Sequence, residues 1–297
     1  MSDRPRRAPA RGGDRPGAPP APTRRTALAG AAALGLAGAA RAPARRIASL
    51  NPCLDAILVR VADPAQVAAL SHWSREPISS SVGAAEAARF PFTYETAEEI
   101  IALKPDLVLA SRHTALATRN ALTGLGIPMA FFGTPSSVAE SLDQVRRIAE
   151  LAGHPERGEA EVRRIEAALA AAAPPPGAAP VRALVYERNG FASGPHTLMD
   201  ELLRRTGFSN AAVEYGYRRS ADIPLDLVVT RPPKVLLSGE TTPGEPSWGE
   251  RVMRHPALQA LRGRVRIIAF PVHLMNCGGP NIVEAAQRLA AARREVA

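Results

Sequence analysis

Apolar and polar positions along this chain follow two periods, and one arrangement of them is written twice. Residues 98–111 (EEIIALKPDLVLAS) pass from a short apolar run with helical spacing, through a basic residue beside a proline, into an unbroken apolar run ending in Ser. Residues 225–239 (LDLVVTRPPKVLLSG) repeat that order. The proline ends the helix because the residue before it is pushed out of α space. The β-branched and Leu-rich run that follows suits a strand covered on both faces. Two such units in two halves of the chain predict two similar α/β lobes, and a cleft between lobes is a place for a small ligand. Glu99 and Asp226 stand six residues before the first proline of each copy and so match one another.

The rest of the pattern agrees. Strands are expected at 46–50, 67–70, 106–111 and 127–132, with helices at 54–62, 98–103 and 114–124 and a polar loop at 71–92. Strands and helices alternating at short intervals argue for parallel βαβ units. From 136 to about 172 the spacing is helical throughout: Val138, Leu142, Val145, Ile148, Ala149 and Ala152 recur every three or four residues, with His154-Pro155 interrupting near the middle. Ala173-Pro174-Pro175-Pro176-Gly177 ends the run. The second half adds strands at 181–186, 234–237 and 264–270, helices at 198–206 and 281–295, and loops at 187–197, 240–250 and 273–280. The expected organisation is a leader over 1–45, a first α/β lobe over 46–135, a helical connector over 136–173, a linker over 174–180 and a second α/β lobe over 181–297.

The leader changes the charge argument. Residues 1–22, rich in Arg, Pro, Gly and Ala without a hydrophobic period, read as disordered. Thr23-Arg24-Arg25-Thr26-Ala27-Leu28, an apolar run to Ala40 and small residues at Ala40-Arg41-Ala42 read as an export signal whose paired arginines resemble the twin-arginine type. Ala27 and Ala29 depart from that pattern. The apolar run is short for a membrane span. The chain carries a net charge of +9, but the first 42 residues hold 8 Arg against 2 Asp, so the remainder is only +3. The basic balance therefore belongs to the leader and does not argue for nucleic-acid binding. Of chemistry-bearing residues, two cysteines, Cys53 and Cys277, are open to three readings: a disulfide, contact with a ligand, or separate buried thiols.

Taken in order, RIASLNPCLDAIL, EEIIALKPDLVLAS, LGIPMAFF, the long helical connector, FASGPHTLMDELLRRTGFSN, a final strand, CGGP and a last helix resemble the substrate-binding proteins of ABC importers for cobalamin and iron–siderophore complexes. The resemblance covers nearly all of 45–295. It implies two Rossmann-like lobes with parallel sheets joined by one long interlobe α-helix. It also implies a periplasmic monomer that captures a metal chelate, corrinoid or ferric siderophore, and delivers it to an ABC permease and its ATPase. In such a fold the ligand lies beyond the carboxyl ends of the strands. The ligand-contact candidates are then Asn51, Cys53, Trp73, Arg75, Arg112, Tyr186, Arg188, Trp248, His273 and Cys277. The tryptophans offer flat apolar area, the arginines suit anionic groups, and Tyr186 either lines the cleft or caps its strand. The resemblance also implies that Glu99 and Asp226 meet arginines of the permease. Rival readings are a haem or free-metal carrier and an exported metal-dependent enzyme. His72, His113 and His273 fall in post-strand loops but lack metal-ligand spacing and read as hydrogen-bonding histidines, so neither a metal site nor a catalytic residue is assigned.

Overall fold

The computed structural model describes residues 42–296 except 78, 188–189, 240–254 and 262. The export segment and the candidates Arg188 and Trp248 lie outside the described residues. The strands are β1 (Ile47–Ser49), β2 (Val67–Ser71), β3 (Phe92–Thr93), β4 (Leu107–Ser111), β5 (Met129–Phe132), β6 (Val181–Tyr186), β7 (Phe191–Ala192), β8 (Phe208–Asn210), β9 (Ala221–Asp222), β10 (Val235–Ser238) and β11 (Arg266–Ala269). The helices are α1 (Pro52–Val61), α2 (Ala84–Ala87), α3 (Ala97–Ala102), α4 (Leu116–Gly124), α5 (Val138–Ala152), α6 (Pro155–Ala171), α7 (Leu198–Arg205), α8 (Ala211–Glu214), α9 (Leu225–Thr230), α10 (Pro256–Gln259), α11 (Val272–Asn276) and α12 (Asn281–Arg294).

Both expected parallel sheets form. The first lobe has the order β3-β2-β1-β4-β5 and the second β11-β10-β6-β8. Every pairing within them is parallel. The central strands β1, β2, β4 and β10 are buried along their whole length, as unbroken apolar runs require. A small antiparallel pair, β7 with β9, sits outside them.

The helical stretch after the first lobe is two helices rather than one. Ser137 caps α5, accepting from the Glu140 amide, and Gly153 ends it at φ 82°. Pro155 then opens α6, and the two fold back on each other. At their crossing a Cβ on Gly158 would lie 2.6 Å from the Ala149 methyl, so only glycine lets the backbones approach so closely. Arg146 and Glu159 pair across the hairpin at 2.8 Å. The 17-residue α6, packed against α1 and α12, is the long helix between the lobes.

One core runs through both lobes. It joins Ile47, Leu70 and Leu109 of the first sheet to Val185, Phe208 and Leu237 of the second through Val145 and Ile148 of α5, Ile165 of α6 and Leu289 of α12. At the seam, Cys53 at the start of α1 is bonded to Cys277 after α11, with Cα atoms 5.1 Å apart. The next residues thread the same seam: the Gly279 amide donates to Ser141 Oγ of α5 at 2.6 Å, and a Cβ on Gly279 would lie 2.7 Å from Ile57 of α1. Gly279 also holds φ 62°, so the close approach and the backbone both call for glycine. The lobes are thus joined by a shared core, a helix and a covalent bond.

Candidate functional site

The carboxyl ends of β2 and β3 present an aromatic shelf. β2 ends in a 3-10 turn, His72–Arg75, and β3 leads into Tyr94. The His72 ring lies 4.3 Å from that of Trp73 and 5.2 Å from that of Tyr94, and Phe92 meets Tyr94 edge-on at 5.4 Å. Trp73, Phe92 and Tyr94 are 41 %, 42 % and 62 % exposed. Large apolar rings left open together mark a binding surface more than a core.

Behind the shelf, His72 Nδ1 lies 3.4 Å from Glu95 Oε1. A carboxylate facing Nδ1 favours a proton on that nitrogen, though the two atoms do not meet in hydrogen-bond geometry. Glu95 holds φ 69°, a strained conformation for a non-glycine residue, with its carbonyl taking a hydrogen bond from Thr118 Oγ1 at 3.0 Å. Burial pushes its carboxyl upward, and the facing imidazole partly opposes this.

The other candidates divide. Asn51 accepts from the Cys53 and Leu54 amides as the N-cap of α1. Arg75 donates to the Phe90 carbonyl at 2.8 Å and lies over the Phe92 ring, so it braces the shelf. Arg112 and His113 are exposed at the end of β4, and His273 is half-buried on α11 at the seam. Tyr186 does not line a cleft: it is buried, its hydroxyl donates to the Ile223 carbonyl at 3.0 Å, and burial pushes it up to about 12. Cys53 and Cys277 are spent on their bond and hold no thiol for a ligand. Glu187, at the end of β6, is also at the seam: the Asn276 side chain bonds it, burial raises it, and Oε1 has no partner among the described residues. Among the described residues no three His, Cys, Asp or Glu side chains converge as metal ligands.

The match of Glu99 with Asp226 needs correcting. In both copies the helix begins ten residues before its strand, Ala97 before Leu107 and Leu225 before Val235. Each helix buries a single residue, Ile100 and Val228. That register pairs Asp226 with Glu98, not Glu99. The second copy has two prolines, and Pro105 corresponds to the second of them, Pro233. Both Glu98 and Asp226 are exposed, whereas Glu99 Oε2 accepts from Thr93 Oγ1 at 2.8 Å and the Tyr94 amide at 2.7 Å, holding the shelf's turn.

Residues 47–263 match the family described as periplasmic binding protein. The chain is 24 % identical over 255 residues to a cobalamin-binding protein of Halobacterium salinarum, covering 82 % of this chain and 68 % of that one. Among solved structures, the apo periplasmic heme-binding protein RhuT from Roseiflexus sp. RS-1 superposes with a TM-score of 0.69 at 24 % identity, over 85 % of this chain and 98 % of that one. The periplasmic vitamin B12 binding protein BtuF of Vibrio cholerae gives 0.63 at 17 % identity, over 86 % and 98 %. At these identities the structures bear on the fold alone.

Proposed function

The chain belongs to the periplasmic binding protein family, which binds solutes rather than transforming them, and from that premise we propose that it captures a metal chelate at the seam between its lobes and hands it to an ABC importer. The aromatic shelf around Trp73 carries this reading. Flat, exposed rings at the carboxyl ends of parallel strands suit a bulky planar cargo such as a corrinoid or an aryl siderophore. The cobalamin-binding relative supports the corrinoid. A second reading, haem, is favoured by His72, whose Nδ1 edge faces Glu95 and whose Nε2 is then the nitrogen for a metal centre. The disulfide supports an oxidising compartment outside the cytoplasm, reached through the twin-arginine-like leader. We take the protein to act as a monomer.

Tryptophan fluorescence, read during titration with cyanocobalamin, ferric siderophores and hemin, tests the reading. Saturable quenching by cyanocobalamin or a siderophore at micromolar concentration or below is expected. A Soret shift on mixing with hemin alone would move the assignment to haem, and no response to any of them would overturn it.

Delivery needs contacts with the permease on both lobes, and Glu98 and Asp226 are the matched exposed acids that fit. Reversing both (Glu98→Arg with Asp226→Arg) is expected to abolish chelate uptake by whole cells while leaving the affinity of the isolated protein within about twofold, since exposed charges contribute little to the fold. Uptake at the wild-type rate would remove them from the docking surface. The shared core and α6 hold the lobes at a nearly fixed spacing, so cargo release falls to the permease prising them apart.

A further inference from the structure

A buried carboxylate beneath the shelf is not explained by capping or salt-bridge needs. Asp55 lies in the apolar run of α1, wholly buried between Leu54 and Ala56. Its Oδ2 accepts three hydrogen bonds: from the Ser71 amide at 3.1 Å, Ser71 Oγ at 2.6 Å and Ser74 Oγ at 2.6 Å. Its Oδ1 has the Ser49 hydroxyl beside it in loose geometry, that hydroxyl also reaching the Asn51 carbonyl at 3.4 Å. Ser71 and Ser74 bracket His72 and Trp73, so this one carboxyl grips both ends of the turn that carries the shelf.

The groups facing Asp55 are neutral: Ser49 from β1, Ser71 from β2 and Ser74 from the turn. On its own helix Arg60 is exposed, and on the turn His72 faces Glu95 instead. No cation offsets the burial, which costs a carboxylate heavily. Burial raises its pKa to about 7, with the three serines opposing. A neutral amide would fill the same space without that cost.

We propose that Asp55 is a positioning residue that links ligand affinity to proton uptake: as a carboxylate it clamps the His72–Trp73 turn, and when Oδ1 takes a proton the clamp slackens. Hydrogen bonds to a charged acceptor are about twice as strong as neutral ones, which sets the direction. The proposal rests on the reading that Trp73 meets the ligand. Stability moves oppositely. A carboxyl whose folded pKa is raised binds more protons folded than unfolded, so stability falls as pH rises from about 4 to about 7 and is level above.

The test compares wild type with Asp55→Asn from pH 5.5 to 8.5, using cyanocobalamin as probe. Wild-type affinity is expected to rise about tenfold across pH 7, and the Asp55→Asn variant to be flat near the weak, acid-side value. At pH 8 that variant should bind more weakly yet melt no lower, a split that a merely structural role would not produce. A variant that keeps the wild-type pH profile overturns the proposal. If wild type binds no chelate, the ligand reading falls separately. The clamp is then read in ligand-free Trp248→Phe protein, where Trp73 is the remaining tryptophan. Acrylamide quenching should increase below pH 7 in that background and stay level once Asp55→Asn is added, and equal quenching across pH in both would refute it.

Discussion

Protein carrying Cys53→Ala together with Cys277→Ala is expected to melt about 10 °C below the oxidised wild type, and wild type reduced by thiol to match it. The reason is the length of chain the bond closes. Its ends are 224 residues apart in sequence. On the chain-entropy account a closure of that size removes about 5 kcal/mol of unfolded-state freedom, near the top of the observed range for disulfides. For a domain of this size each kcal/mol moves the melting point by roughly 2–4 °C. The Gly279–Ser141 hydrogen bond and the shared core remain in the variant, so the folded lobes keep their spacing and the loss comes through the unfolded state. Calorimetry on oxidised, reduced and doubly substituted protein checks it. Coincident transitions would show that the bond contributes nothing.

Trp73→Ala carries the largest expected effect on binding. The ring is the largest exposed apolar group on the shelf, in tilted contact with the His72 ring. Aromatic anchors at the centre of an interface typically cost about 2 kcal/mol or more on truncation, which corresponds to about a thirtyfold loss of affinity. Trp73→Phe keeps a ring and should recover about half of that in free energy. The ring is 41 % exposed and outside the core, so the melting point should barely move. Tyr186→Phe supplies the contrast. Its hydroxyl serves the Ile223 carbonyl inside the second lobe, so the substitution should lower stability by about 1 kcal/mol and leave affinity unchanged. Isothermal titration with whichever chelate the fluorescence titration identifies reads both, and an affinity for Trp73→Ala within threefold of wild type would take Trp73 off the proposed site.

Most of the fold was legible because long apolar runs declare buried parallel strands, and among the described residues seven of the eleven strands were expected close to where they lie. The missed ones, β3, β7, β8 and β9, are two or three residues long, too short for any period to show. The hidden strand β3 mattered most. Reading 71–92 as a polar loop hid Phe92 and left Tyr94 unread just beyond it, half of the aromatic shelf, although Phe92-Thr93-Tyr94 alternates as an edge strand does. The pairing of the cysteines was open because closure across 224 residues depends on where two lobes meet, which no local pattern states. Asp55 was invisible for the same reason: its partners lie 16 and 19 residues on, and inside PCLDAILVRV it looks like an early-turn acid. The Glu98 register was missed through a local accident, since the proline pair of the second copy offered two alignments and only the helix starts distinguish them.

Helix α12 has a consequence for how the molecule comes into being. It lays Ile282, Ala285, Ala286, Leu289 and Ala292 into a nucleus common to both halves, against the two helices that precede and follow the linker. Until those residues have left the ribosome, neither half can hide its greasy inner face. A growing polypeptide therefore stays open to chaperones and proteases until α12 has emerged. Stopping synthesis just short of Asn281 would yield an aggregating product rather than a smaller working one.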